Sequence, residues 1–470
     1  MKKKGLTQLR TSTLSMALLT LMAAFPVNAG QVVLFIGDGM GVTTVSAGRI
    51  LAGQLQGKTG EEHELTFEQF ENVALVKTYN TDMQVPDSAG TMTAVITGQK
   101  TRFGVLSLNA DVERRNCTQA LQGTLPTLLE QAETAGYATG VVTTTRVTHA
   151  TPAASFAHSP ERDWEDDAAM PAEALTAGCR DIARQFVEFD KGDGVDVLLG
   201  GGRANFLPET VTDPEHDTLK GRRKDGKNLI DQWQASRPER TFVWNTAGFK
   251  NLRGKGQVLG IFEASHMQWE VDRAKDVGGE PSLAEMTTFA LDRLQARNKN
   301  FLLIVEGGRI DHGHHAGSAH KALNDVVALD AAVAVAARRI HPRRGLILVT
   351  ADHSHTLSFA GYPPRGNPIL GKVPVIPGGG EGGAPTYTYP TLGYANGPGA
   401  VSPLPDYTTI DTQDPAFRQP ATLPMMSETH GGEDVAAYAR GAAADGVRGV
   451  MEQNELYAVL YRGLFGRAPR

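Results

Sequence analysis

Three stretches of the chain are apolar without interruption: Val32-Val33-Leu34-Phe35-Ile36, Phe301-Leu302-Leu303-Ile304-Val305 and Leu346-Ile347-Leu348-Val349. Strands buried on both faces of a parallel sheet read this way, whereas half-exposed strands alternate. Between these runs the pattern turns helical. Helices are predicted over 42–55, from near Ser88, over 125–135 with Thr124 as N-cap, over 172–189 and over 320–340. Ser282-Leu283-Ala284-Glu285 has the spacing of a capping box and opens a helix to about 297. Further strands are predicted at 72–79, 138–147, 195–199 and 257–262, and helices over 433–444 and 454–465 close the chain. Such alternation predicts an α/β fold with a large, mainly parallel central sheet flanked by helices on both faces. Two stretches break the alternation. Residues 203–250 are polar with few apolar runs, and residues 361–427 are rich in Gly and Pro. The second is too long for an ordinary loop and reads as an inserted subdomain or a lid.

The first 29 residues do not belong to this pattern. Lys2, Lys3, Lys4 and Arg10 precede an apolar run from 14 to 25, and Val27-Asn28-Ala29 offers small residues for a signal peptidase. This reads as a secretory signal peptide cleaved after Ala29, leaving 30–470 as the mature chain, secreted or periplasmic. Removing it takes away four positive charges and no negative ones, so the formal charge goes from −6 to −10. A chain this acidic is a poor partner for nucleic acid, and no second apolar segment offers a membrane anchor. Cys117 and Cys179 are the two cysteines, and in an exported protein a pair reads as one disulfide.

The chemistry sits where the apolar runs end. The first empties into Gly37-Asp38-Gly39. The second empties into Glu306-Gly307-Gly308-Arg309-Ile310-Asp311-His312-Gly313-His314-His315, and the third into Thr350-Ala351-Asp352-His353-Ser354-His355. Open α/β sheets bind ligands outside the carboxyl ends of their strands. Mixed Asp and His suits zinc, and an oxygen-rich set suits magnesium. Asp311 and His315 are four apart and share a face if a helical turn begins there. Asp87-Ser88-Ala89 precedes a helix, which by itself reads as an N-cap. Beside divalent ions, however, Ser88 has a way to lose its proton. His430, in Glu428-Thr429-His430-Gly431-Gly432, is flanked by glycines that permit close backbone approach.

Taken as an ordered set, these segments resemble the alkaline phosphatases, over nearly the whole chain from Gln31 to the element after His430. The set comprises the Asp38 segment, Asp87-Ser88-Ala89, His149-Ala150-Thr151-Pro152, the Glu306 to His312 run, Asp352-His353-Ser354-His355 and Thr429-His430-Gly431-Gly432-Glu433-Asp434. The details are similar to the animal-type branch. The resemblance implies a homodimeric phosphomonoesterase active at alkaline pH, acting on small phosphate monoesters through a phosphoserine at Ser88. It implies one zinc on Asp311, His315 and His430 and a second on Asp38, Asp352 and His353. A magnesium would share Asp38 with Thr151 and Glu306. Arg162 would clamp two phosphate oxygens in a bidentate fork. His149 and His312 stand where the enteric-bacterial branch has an acidic and a basic residue, and His149 falls close to the third ion. His314 and His355 are read as groups that orient ligands. A fourth, calcium-like site would use Glu215, the Phe262 carbonyl, Glu263 and Glu280. The Gly/Pro-rich 361–427 stretch matches a crown-like insertion near the dimer interface.

Two rivals are weaker. A sulfatase would need a modifiable Cys or Ser in a Cys/Ser-x-Pro-x-Arg context, and Ser88 is followed by Ala89-Gly90. A phosphodiesterase of the same superfamily more often uses Thr and lacks the Glu306 ligand. An exported metal- or phosphate-binding protein without catalysis would be expected to lack part of this set, and nothing is missing.

Overall fold

In the computed structural model, which describes residues 30–375 and 387–469, the three apolar runs become neighbouring parallel strands of a ten-stranded sheet. Residues 1–29, expected to be a signal peptide, and the glycine runs at 378–383 lie outside the described residues. In chain order the strands are β1 (Gln31–Gly37), β2 (Asn72–Lys77), β3 (Ala138–Arg146), β4 (Val197–Gly201), β5 (Thr241–Val243), β6 (Val258–Ile261), β7 (Phe301–Gly307) and β8 (Gly345–Ala351). Seven shorter strands follow in small sheets: β9 (Ser354–His355), β10 (Leu357–Phe359), β11 (Lys372–Val373), β12 (Tyr389–Pro390), β13 (Leu392–Gly397), β14 (Ala421–Pro424) and β15 (His430–Gly431). Then β16 (Val435–Gly441) and β17 (Gly449–Glu452) rejoin the main sheet. The strand order is β17-β2-β16-β8-β1-β7-β3-β4-β6-β5. Every pairing is parallel except the two made by β16, so the expected mainly parallel sheet is present.

Register is what places the site. Gly37 lies opposite both Gly307 and Ala351, so β1, β7 and β8 end level. Asp38, Glu306 and Asp352 therefore emerge along one edge. The strands are held there by packing on both faces. Gly463 of the helix Leu456–Phe465 sits so close to Leu346 that a side chain would collide with it, with Val32 alongside. On the other face, Leu294 of the helix Leu283–Gln295 packs near Leu303 and Gly140.

Several local expectations needed correction. The stretch 433–444 is not a helix but the strand β16. Its alanines favour a helix in isolation, yet Val435, Ala437 and Ala439 are buried between β8 and β2, and sheet pairing on both sides outweighs propensity. The helix expected at 172–189 is two short ones, Ala172–Thr176 and Ile182–Val187. The break falls at Gly178, with φ +96°, and Asp181 caps the second helix by accepting from the Arg184 N–H. The helix Leu128–Thr134 starts at Thr127, which forms a capping box with Glu130, rather than at Thr124. The polar stretch 203–250 is ordered by buried guanidinium groups as well as by the apolar face of the helix Leu229–Ala235, where Leu229, Ile230 and Trp233 are buried. Arg203 pairs with Asp213 and Glu215, and Arg223 with Asp181 and Asp225.

Cys117 and Cys179 are joined across 62 residues, with Cα atoms 5.9 Å apart. The bridge packs with Trp164, Met170 and Ala174 in a small cluster of its own. Trp164 stands two residues beyond Arg162, so the bridge braces the loop that carries that arginine. Closing a loop of this length stabilises by about 4 kcal/mol through the unfolded state. Cys117→Ser with Cys179→Ser should lower unfolding stability by up to about 4 kcal/mol, read by thermal denaturation with ions present. An unchanged midpoint would show that the loop is braced by other contacts.

Candidate active site

At the carboxyl edge of β1, β7 and β8, buried carboxylates and imidazoles converge. Asp38 follows β1, Glu306 lies in β7, and Asp352 and His353 follow β8. Asp311, His312 and His315 sit on the short helix Arg309–His315. His430 arrives on β15, which pairs antiparallel with β9 at His355. Ser88 opens the helix Ser88–Thr97, with Asp87 as its N-cap.

The proton positions around His315 and His430 follow from their partners. His315 Nδ1 lies 2.5 Å from the Glu428 carbonyl, and His430 Nδ1 lies 2.8 Å from the Pro86 carbonyl. A carbonyl only accepts, so both Nδ1 atoms carry hydrogen and both Nε2 atoms are lone pairs. Those Nε2 atoms face each other at 3.2 Å. Asp311 Oδ1 is 3.3 Å from one and 3.4 Å from the other. A divalent cation would satisfy such a convergence of lone pairs and negative charge. His353 repeats the arrangement. Its Nδ1 faces the Ser354 carbonyl at 3.3 Å, which leaves the Nε2 lone pair 3.5 Å from Asp38, 3.3 Å from Asp352 and 3.1 Å from Ser88 Oγ.

The oxygens nearby are equally unsatisfied. Both carboxylate oxygens of Asp38, Thr151 Oγ1, Glu306 Oε1 and Asp352 Oδ2 are buried without a hydrogen-bond partner, as is His149 Nδ1. Donor atoms of Asp38, His149 and Glu306 lie within 4.8 Å of one another. Burial pushes the Glu306 carboxyl up to about 7. Burial also raises Asp38, and the neighbouring Asp352 and Asp311 add to it. Carboxylates forced together in this way need counter-charge. The donor set fits divalent ions, with nitrogen in two groups and oxygen dominating the third.

His355 joins the Asp311 cluster but in another role. Its Nε2 is 2.6 Å from Asp311 Oδ1 and its Nδ1 is 2.5 Å from Glu428 Oε2. Burial works against its charge, but Asp311 and Glu428 outweigh burial and hold it up at about 10. With a hydrogen on each nitrogen it orients Asp311 and offers no lone pair. His314 packs against His355 but bonds Thr44 and Tyr394 with its two nitrogens, so it orients no carboxylate of the cluster. Glu428 escaped notice in the sequence, although it stands two residues before His430. It is buried, and it also binds the Thr356 amide and hydroxyl.

Arg162 reaches the site from the braced loop. Its Nη1 donates to Asp87 Oδ2 at 3.0 Å, and its Nη2 donates to His149 Nε2 at 3.1 Å. Asp87 also accepts from the Gly90 and Gly104 amides and from Asn80, so one carboxylate fixes the serine helix and the guanidinium together.

The second acidic group differs from expectation. Glu215 and Glu263 come together, but Asp276, not Glu280, completes the cluster within 4.8 Å. Glu215 anchors the Gly278 amide at 2.8 Å, and Gly279 takes φ +72°, so the chain doubles back and brings Asp276 in. Glu280 instead accepts from the Gln268 amide at 2.8 Å, and burial with Asp276 nearby pushes it up to about 9. Phe262 is buried directly before Glu263.

This geometry can now be set beside known proteins. The family model described as alkaline phosphatase matches residues 29–464. The chain belongs to the alkaline phosphatase family. It is 44% identical over 450 residues to the tissue-nonspecific isozyme of Gallus gallus, covering 93% of this chain and 85% of that one. It is 42% identical to an alkaline phosphatase of Gadus morhua, covering 93% and 92%, and 42% identical to the human tissue-nonspecific isozyme, covering 91% and 82%. Among solved structures, the Thermus thermophilus alkaline phosphatase superposes with a TM-score of 0.67 at 24% identity, covering 94% of this chain and 93% of that one. That likeness shows the same fold. Membership of the alkaline phosphatase family makes the chain a metal-dependent phosphomonoesterase.

The lone pairs converging on Asp311 predict strong coupling between ions and stability. Chelation should lower the unfolding free energy by about 4 kcal/mol or more, the amount gained from ligand at roughly a thousand times its Kd. Thermal denaturation before and after chelation measures it. An unchanged midpoint would mean that the cluster is satisfied without an ion.

Proposed function

We propose that Ser88 is the nucleophile of phosphate-monoester hydrolysis and is itself phosphorylated during turnover. The observation that carries this is Ser88 Oγ, 3.1 Å from His353 Nε2 and buried beside the unsatisfied oxygens of Asp38 and Asp352. In the first half-reaction Oγ bonds to phosphorus as the phosphorus–oxygen ester bond breaks and the alcohol leaves. In the second, water takes the phosphoryl group from Ser88 and inorganic phosphate departs. Two displacements in line give net retention.

The residues divide the work. Asp311, His315 and His430 would hold one zinc, and Asp38, Asp352 and His353 a second. Asp38, Thr151 and Glu306 would hold magnesium, with His149 beside it. When bound, these ions neutralise charge on the transferring group and favour the ionised serine. Arg162, oriented by Asp87, holds two phosphoryl oxygens. Glu215, Glu263 and the Phe262 carbonyl, with Asp276 in place of Glu280, form the reading for a calcium ion.

A homodimer is supported by exposed apolar side chains at the sheet edge and on the insertion. Val73, Leu75 and Val450 are exposed on β2 and β17, and Tyr362, Met425 and Met426 around the small sheets. Export is supported by the N-terminal pattern and by the Cys117–Cys179 bridge. Among the described residues no helix is long and apolar enough to cross a membrane.

The test compares the wild-type protein with Ser88→Ala on p-nitrophenyl phosphate at pH about 9–10, before and after chelation with zinc and magnesium added back. Loss of at least about 10³-fold in Ser88→Ala, with wild-type activity restored only by both ions, is the expected result. Retained activity in Ser88→Ala, or full activity on a diester with little on the monoester, would overturn the reading.

A further inference from the structure

Among the described residues, Arg309 is a buried cation with no carboxylate in salt-bridge reach. It is 8% exposed, and among the described residues no carboxylate lies within 4.0 Å of it to form a salt bridge. Its guanidinium lies 3.7 Å from the ring of Trp269, and its Nε has no hydrogen-bond partner. Burying an unpaired charge costs stability, so such a group is rarely kept for packing alone. Its one side-chain hydrogen bond runs from Nη1 to His312 Nδ1, at 2.9 Å.

An arginine can only donate. His312 Nδ1 must therefore accept, and the ring hydrogen is placed on Nε2. That Nε2 has no hydrogen-bond partner among the described residues and stands 3.9 Å from Asp311 Oδ2. The ring packs 4.2 Å from His266 and 5.5 Å from His149, which receives Arg162 Nη2. His312 thus lies beside Asp311 and beside the His149 ring that receives Arg162, 17% exposed, with a single N–H left free among the described residues. Were the tautomer reversed, an Nδ1–H would face the guanidinium and the open side would present a lone pair, which repels phosphoryl oxygens.

We propose that Arg309 is a positioning residue that fixes His312 as a neutral Nε2–H donor to a phosphoryl oxygen of the monoester, with Trp269 holding the guanidinium in place. This rests on the phosphomonoesterase reading above and adds a residue to it. Arg309 touches no substrate and acts through His312.

The test uses the metal-loaded enzyme and two readouts. Long-range proton–nitrogen NMR of nitrogen-15-histidine protein, with His312 assigned by its loss in His312→Gln, reports the tautomer without turnover. Wild type should show Nε2–H at His312, and Arg309→Met should lose that preference while Arg309→Lys keeps it. Kinetics then follow a double-mutant cycle. Arg309→Met should raise KM for the monoester and weaken inhibition by inorganic phosphate about tenfold, the scale of one hydrogen bond to a charged group. In His312→Gln, whose amide donates from the Nε2 position without a tautomer to set, adding Arg309→Met should change either constant less than about twofold. Equal losses in both backgrounds, or an unchanged Nε2–H in Arg309→Met, would overturn the proposal. If Ser88 fails as nucleophile while the tautomer still follows Arg309, the mechanism fails and the positioning stands.

Discussion

The Nε2 lone pairs of His315 and His430, 3.2 Å apart with Asp311 alongside, are the constraint on which the rest of the structure depends. Each ring is locked by a carbonyl behind it, from Glu428 and Pro86. Neither ring can turn away without giving up that hydrogen bond. The fold brings together groups that repel one another and that a divalent cation would relieve. This inverts the usual order in a buried polar site, where internal hydrogen bonds complete the set first.

Holding such groups together requires a rigid frame. The frame is the level register of β1, β7 and β8, every residue of β7 and β8 being buried. A slip of one residue in any of these strands would carry its carboxylate to the wrong face. Around this frame a second layer of carboxylates directs the first. Glu428 grips His355, His355 grips Asp311, and Asp87 holds both the serine helix and Arg162. Such supporting groups fix ligands whose own bonds are few.

Much of this was legible in the chain itself. The three central strands announced themselves as unbroken apolar runs, and the residues at their ends are those that the structure gathers. The Ser282 capping box opens its helix as its spacing implies. What escaped were features decided at long range. β16 is alanine-rich and helical by propensity, and only its two neighbours make it a strand. In the 203–250 stretch, Arg203 and Arg223 tie the chain through buried ion pairs that spacing does not reveal. Asp276 displaced Glu280 because a glycine turn redirects the chain between them, and a turn's direction is not visible in spacing alone.

The antiparallel course of β16 carries a consequence for assembly. His430 reaches the cluster on β15 only when β9 is available to pair with it, and β16 then threads between β8 and β2. Strands separated by more than 350 residues thereby become neighbours, since Val435 lies opposite Val76. His430, a member of the Asp311 cluster, is also nearly the last of its residues to be synthesised. A chain emerging from the ribosome, or passing unfolded through a membrane, cannot close the Asp311 cluster until its C-terminal strand has arrived. The cluster is thus assembled only when the chain is nearly whole.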